Sequence, residues 1–113
     1  MSQDITYVGL DAHQETIHAG ALLPGAARPA EDAFANSSEA LRRFVRRLRR
    51  RAPGEVVCAY EAGPLGYGLM RELEALGVGC LVVAPALIPV KPGDRIKTDR
   101  RDARKLAELL RSG

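Results

Sequence analysis

Four acidic residues have the types and positions that metal-dependent chemistry needs. Asp11 and Glu61 each end an apolar, strand-like run, "ITYVGLD" and "VVCAYE", where a further apolar residue would be expected. Asp99 and Asp102 lie three positions apart in "KTDRRDARKLAELL", a spacing that would put both carboxylates on one face of a helix. Clustered carboxylates repel one another unless cations neutralise them. The pattern therefore predicts a divalent cation site formed by these four acids.

The preferred ion follows from the ligand type. Mg²⁺ prefers oxygen ligands, and two such ions about 3.5 to 4 Å apart activate a nucleophile and stabilise the leaving oxygen of a phosphodiester. We therefore expect Mg²⁺ or Mn²⁺ as the cofactor, and phosphodiester cleavage or strand transfer as the reaction. Because magnesium sites favour oxygen, His13 and His18 are given no metal role.

Each acid also has a plainer interpretation when it is taken alone. Asp99 and Asp102 would serve as caps for the helix that follows them. Asp11 would be a turn residue beside His13, and Glu61 would cap a helix or pair with a nearby arginine. The metal site is favoured because all four positions are acidic together.

A second feature is the arginine-rich stretch "LRRFVRRLRRR" at positions 41–51. Its four apolar residues recur at i, i+3, i+4 and i+7, which predicts an amphipathic helix with arginines facing outward. Such a face suits nucleic-acid phosphates, although a merely solvated helix face is the alternative. A basic stretch near the last two acids adds further cations. The residues expected to contact nucleic acid are Arg46, Arg47, Arg50, Lys91, Arg95, Lys97, Arg100 and Arg101.

Composition restricts the class of protein. The chain has 113 residues, 46% hydrophobic and 27% charged, which favours one folded domain over disorder. No apolar run approaches the roughly 20 residues that span a bilayer, and the N-terminus does not resemble a secretory signal, so we expect a cytoplasmic protein with no membrane partner. Cys58 and Cys80 lie in strand-like runs without metal-ligand spacing, which predicts reduced core thiols.

The elements that must position the acids follow from periodicity. Two strands, "ITYVGLDAH" and "ETIHAGALL", predict a hairpin with Asp11 near its turn, and a short strand is expected at 30–34. The arginine helix should start at Ser37 or Ser38 and stop at Pro53. A strand ending at Glu61, a helix over positions 64–77 and the strand "VGCLVVAP" come next.

The remaining stretch contains Pro85, Pro89 and Pro92 and is expected to be irregular. The last helix should begin near Thr98 or Asp99. The order of elements predicts an α/β fold that combines an antiparallel hairpin with parallel crossovers.

Three segments together resemble a known family. "YVGLDAH", "YEAGPLGYGL" and "DRIKTDRRDARKLAELL" are similar, in this order, to the motif blocks of the DEDD transposases of bacterial insertion sequences (the insertion-sequence one-ten family). The resemblance covers nearly the whole chain. It implies a ribonuclease-H-like, RuvC-like mixed sheet with flanking helices. Its four Mg²⁺-binding acids would be Asp11, Glu61, Asp99 and Asp102.

The resemblance also implies partners and a domain plan. DNA would be the substrate, a guide RNA would bind through the full-length protein, and the full-length protein would be a homo-oligomer. Family members continue into a C-terminal domain that resembles a serine-nucleophile module, and none of Ser37, Ser38 and Ser112 lies in a matching motif. We therefore expect residues 1–113 to be the N-terminal catalytic domain, with the serine domain absent from this chain.

Two other classes of protein share some of these features. A sugar-kinase or actin-like ATPase also begins with a strand ending in Gly-x-Asp, but it needs further phosphate loops and a longer chain. A noncatalytic nucleic-acid-binding module would use the arginine helix, with the acids acting only as caps. Nucleic-acid binding without Mg²⁺ dependence would favour this module.

Overall fold

The predicted N-terminal hairpin forms the start of a five-stranded mixed sheet. In this computed structural model, residues 4–63, 68–88, 93, 97–99 and 101–113 are described, with only the backbone described at 86–88 and 97–99. The elements in chain order are β1 (Thr6–Ala12), β2 (Thr16–Leu22), β3 (Ala30–Ala35), α1 (Ser38–Arg51), β4 (Val56–Glu61), α2 (Gly68–Ala75), β5 (Gly79–Val83), β6 (Ala86–Ile88), β7 (Lys97–Asp99) and α3 (Ala103–Ser112).

The strand order of the sheet is β3-β2-β1-β4-β5. The first three strands are antiparallel neighbours, whereas β4 lies parallel to β1 and β5 lies parallel to β4. Parallel neighbours need long crossovers, and the chain supplies them through α1 before β4 and α2 before β5. The predicted α/β class, with a hairpin and parallel crossovers, is confirmed.

The main hydrophobic core lies between the sheet and the two helices α1 and α2. Side chains alternate between the two faces of a strand, so Val8 and Leu10 of β1 enter this core together with Cys58 and Tyr60 of β4. The helices contribute the apolar residues Leu41, Phe44, Val45, Leu48 and Leu73. Because these residues occupy one face, the residues between them on the strands, including Gly9, Asp11 and Glu61, belong to the other face.

The helix α3 covers that second face. Its buried residues are Ala103, Leu106 and Ala107. It lies so close to β1 that a Cβ atom on Gly9 would be 2.0 Å from the carbonyl oxygen of Ala103. A similar atom on Gly20 of β2 would be 3.2 Å from the same oxygen. The two glycines therefore let α3 pack directly on the backbone of the hairpin.

The arginine helix forms as the sequence predicts. Ser37 is its N-cap, with an extended backbone and a hydroxyl that accepts a hydrogen bond from the backbone N of Ala40 at 3.2 Å. The apolar stripe at Leu41, Phe44, Val45 and Leu48 is buried, and the arginines from position 42 to 51 are exposed.

The second helix and the thiols also agree with expectation where they are described. The predicted start of α2 near Pro64 lies outside the described residues, and its end is followed by Gly77 with a φ of 81°, a conformation that favours glycine. Cys58 and Cys80 are free thiols in the sheet. Burial raises the pKa of Cys58 far above its usual range and raises the pKa of Cys80 to about 12, so both resist ionisation. Among the described helices, none has the length and apolarity to cross a membrane.

The segment before α3 differs from the prediction. Instead of an irregular stretch, β6 and β7 form a two-stranded antiparallel ladder in which Ala86 pairs with Asp99. The predicted helix start at Thr98 or Asp99 is wrong, since α3 begins at Ala103 and Asp102 is its N-cap. An N-cap residue has non-helical backbone angles, and Asp102 is extended as this position requires. Thr98 is β-branched, which favours a strand over a helix. Asp99 and Asp102 therefore do not share one helix face.

Candidate metal centre

Asp11 and Glu61 end two neighbouring strands on the same side of the sheet. The last paired residues of β1 and β4 are Leu10 and Tyr60, and Asp11 and Glu61 are the next residue on each strand. Neighbouring strands are about 4.8 Å apart. Since Leu10 and Tyr60 face the core of α1 and α2, the two acids face the side of α3. The strands that carry the two acids therefore lie side by side.

Glu61 is the most buried of the three acids whose side chains are described. Its side chain is 7% exposed, and its Oε1 accepts a hydrogen bond of 3.1 Å from the backbone N of Arg101. Its Oε2 lies 3.4 Å from Nη1 of Arg101, close enough for an ion pair, but no described residue donates a hydrogen bond to it. A buried carboxylate oxygen without a hydrogen-bond donor is costly. Oε2 is therefore suited to bind a cation.

Asp11 is positioned by the hairpin turn. Its Oδ2 lies 3.2 Å from Nε2 of His13, which is two residues further along the chain and directly follows the end of β1. His13 is fixed in turn, because its N donates to the carbonyl of Thr16 at 2.8 Å and its carbonyl accepts from Nδ2 of Asn36 at 2.7 Å. This contact was not predicted, although the two-residue spacing in "DAH" was the signal for it.

Asp102 reaches the same end of the sheet through α3. Its Oδ1 accepts a hydrogen bond of 2.9 Å from the backbone N of Lys105, which confirms the capping role considered from the sequence. Its Oδ2 lies 3.9 Å from Nη2 of Arg104. Because Gly9 brings the N-terminus of α3 onto β1, Asp102 and Asp11 line one open groove of about 570 Å³. The other lining residues are His13, His18, Ala19, Glu31, Asp32, Ala33, Ala103 and Arg104.

Asp99 is located only by its backbone, at the end of β7. Its side chain lies outside the described part of the structure. Within the described part, no three His, Cys, Asp or Glu side chains are grouped closely enough to hold a metal ion. The convergence of all four acids on one ion thus stays a prediction.

The basic residues predicted to contact nucleic acid are divided between two sides of the sheet. Arg46, Arg47 and Arg50 lie on the exposed face of α1, on the opposite side from α3, and Arg47 pairs with Asp32 at 3.0 Å. Arg101 lies on the side of the acids. The side chain of Lys97 and the whole of Lys91, Arg95 and Arg100 lie outside the described residues. The arginine helix therefore lies across the sheet from α3, and its Arg47 reaches the groove of Asp11 and Asp102 through Asp32 at the groove's edge.

The fold and the acidic strand ends define the class of protein. The strand order β3-β2-β1-β4-β5, with β2 antiparallel to its neighbours and helices on both faces, is that of a ribonuclease-H-like domain. A family model described as "Transposase", for DEDD transposases of the IS110 type, matches residues 8–113. The chain belongs to this transposase family, and the resemblance drawn from its motif blocks is confirmed.

Two curated relatives agree with this family. The chain is 42% identical over 107 residues to the transposase for insertion sequence element IS1533 of Leptospira borgpetersenii, covering 94% of this chain and 31% of that protein. It is 53% identical over 77 residues to the putative transposase y4qE of Sinorhizobium fredii (strain NBRC 101917 / NGR234), covering 68% of this chain and 20% of that protein. The chain thus spans a third or less of the length of these relatives.

Proposed function

We propose that this chain is the metal-binding catalytic domain of a DNA transposase. In this proposal Asp11, Glu61, Asp99 and Asp102 hold Mg²⁺ or Mn²⁺ for phosphodiester cleavage and strand transfer on DNA. The observation that carries the proposal is the buried Glu61, whose Oε2 accepts no hydrogen bond from the described residues, one strand away from Asp11. Membership of the transposase family supports DNA as the substrate.

The domain plan is part of the same proposal. The chain would be the N-terminal, RuvC-like part of a longer protein, because the relatives it matches are at least three times as long as the matched segment. A C-terminal serine domain would then complete recombination, with guide-RNA binding and homo-oligomer formation as properties of the whole protein.

Some residues of this chain would bind the metal, and others would position the metal-binding side chains. The four acids would hold a divalent ion, which would supply Lewis-acid polarisation of the phosphate and a lowered pKa of the attacking water. Glu61 is held for this task by the backbone N of Arg101, and Asp11 is held by His13. Asp102 uses Oδ1 to cap α3, which leaves Oδ2 on the side of Arg104. Capping and metal binding by Asp102 are therefore compatible.

The DNA backbone would approach from the side of α3. Arg104 and Lys105 are exposed beside Asp102, and Arg101 is 24% exposed beside Glu61. Cations next to a carboxylate cluster attract phosphates while the bound metal offsets the acidic charge. The exposed arginines of α1 would contact nucleic acid on the other side of the domain.

Cleavage of labelled duplex and branched DNA by this chain, with and without Mn²⁺, tests the proposal. We expect metal-dependent products from the wild type, reduced at least about a hundredfold by Asp11→Asn. Glu39→Gln is a matched control, since Glu39 is an exposed acid on α1 that pairs with Arg43. Cleavage that is absent from the wild type, or that survives Asp11→Asn, would contradict the catalytic role.

A further inference from the structure

Arg101 contacts both oxygens of the Glu61 carboxylate. The backbone N of Arg101 donates to Oε1 at 3.1 Å, and Nη1 of its guanidinium lies 3.4 Å from Oε2. Glu61 is 7% exposed and Arg101 is 24% exposed. The buried acid thus has a neutralising charge of its own, from the residue that directly precedes the cap of α3.

The two contacts differ in how firmly they are held. The backbone contact is set by the start of α3, where Asp102 caps the helix and Ala103 packs on Gly9. The guanidinium contact is the end of a long side chain, it is reached by solvent, and it lacks hydrogen-bond geometry at Oε2. The first contact is therefore rigid, whereas the second is easily displaced.

The guanidinium occupies the position that a metal ion bound by Oε2 would need. Two positive charges close to one carboxylate oxygen repel each other, so the guanidinium and a divalent ion cannot both stay there at low cost. Removal of one partner from a buried ion pair is costly unless another cation replaces it. Glu61 would therefore exchange one cation for another.

We propose that Arg101 is a positioning residue of the metal centre and that its guanidinium is displaced when the metal binds. Its backbone N holds Oε1, which keeps Oε2 directed to the site, and its guanidinium neutralises Oε2 in the absence of metal. When it leaves, the guanidinium moves toward the solvent that already reaches it. This inference rests on the proposed metal site.

Arg101→Met tests the exchange, because it keeps the apolar length and the backbone N but removes the charge. Without metal, the melting temperature should fall, since Glu61 loses its neutralising charge. The Mn²⁺ concentration at the midpoint of a thermal-shift titration should also fall, by about tenfold, because no internal cation competes. The readout is metal binding and needs no catalytic activity.

Arg111→Met is the matched control. Arg111 lies at the other end of α3 and its guanidinium donates to the carbonyl of Ala26 at 2.7 Å, so this change removes one charge from the same helix away from Glu61. Its Mn²⁺ midpoint should stay within about twofold of the wild type, because screening weakens the effect of a distant exposed charge.

Arg101→Lys covers the case in which Arg101→Met does not fold. A lysine ammonium is more strongly hydrated than a guanidinium and is held less firmly at Oε2, so it competes less and its Mn²⁺ midpoint should lie below that of the wild type. A wild type that responds to Mn²⁺ together with folded Arg101 variants that bind it no more tightly would overturn the exchange and leave the proposed function standing. Folded proteins that show no response to Mn²⁺ at all would overturn both.

Discussion

Gly9 of β1 lies directly beneath Ala103 of α3, so closely that a Cβ atom on the glycine would be 2.0 Å from the carbonyl oxygen of Ala103. This contact brings the N-terminus of α3, with Asp102 as its cap, to the end of the strand that carries Asp11. The proposed metal site therefore depends on a position with no side chain.

Gly9→Ala should consequently destabilise the protein. The added methyl group must displace the backbone of α3, and such overpacking costs about 3 kcal/mol. Chemical denaturation measures the free energy of unfolding. Gly79→Ala is the matched control, because Gly79 also lies in a strand but has no atom within 4 Å of an added Cβ. Equal stability of the two variants would contradict the close packing of α3 on β1.

The cap of α3 can be separated from metal binding by two substitutions at Asp102. Asp102→Ala removes the oxygen that accepts from Lys105, and it should cost about 1 kcal/mol of unfolding free energy without metal. Asp102→Asn keeps a capping oxygen and should retain most of that stability, while it loses the charge that a metal ligand needs. Denaturation in metal-free buffer compares them. A destabilisation of similar size in both variants would show that the cap is not the origin of the effect.

The arginine face of α1 should bind nucleic acid through phosphates. Arg46, Arg47 and Arg50 are exposed, so replacing all three by Ala should make the slope of log affinity against log salt less steep by about 2 to 3 units. Fluorescence anisotropy with a labelled duplex over low to moderate salt gives this slope. If the slope is unchanged, or the wild type shows no salt dependence, α1 is a solvated face.

Because two thiols are buried, the folded protein should lose stability at alkaline pH. Burial raises the pKa of Cys80 from 9.0 to about 12 and raises the pKa of Cys58 still further. A raised pKa means that the folded state holds its proton more tightly, so stability is complete below pH 9 and declines as the pH rises above it. Denaturation at pH 7, 9 and 10 should show a smaller decline for Cys58→Ala than for the wild type. Parallel curves would exclude the thiols as the cause.

Much of the fold follows from residue patterns in the sequence. The stripe of Leu41, Phe44, Val45 and Leu48 predicts α1 because its period of 3.6 residues admits only a helix, and Ser37 caps it as expected. The alternation and apolar runs of the strands likewise predict the hairpin and the buried β4. These signals are local, so no tertiary contact is needed to read them.

The start of α3 could not be predicted in this way. Asp99 and Asp102 are both good capping residues three positions apart, and only the pairing of Asp99 with Ala86 decides that the first belongs to a strand. The contact of Arg101 with Glu61 joins residues 40 positions apart, and nothing in the spacing of the sequence indicates it. Non-local contacts of this kind decide which groups meet the acids at the site.

If the acids form a divalent metal site, a thermal-shift titration with Mg²⁺ and Mn²⁺ should detect it. An ion that binds only the folded protein stabilises it by mass action, so the melting temperature of the wild type should rise with millimolar metal. Asp11→Asn removes one charge and one ligand, so without metal it should be at least as stable as the wild type, and it should lose the rise. The exposed-acid variant Glu39→Gln should keep the rise. A wild type whose melting temperature does not change with either metal, or an Asp11→Asn variant with the full rise, would rule out a metal site formed by these acids.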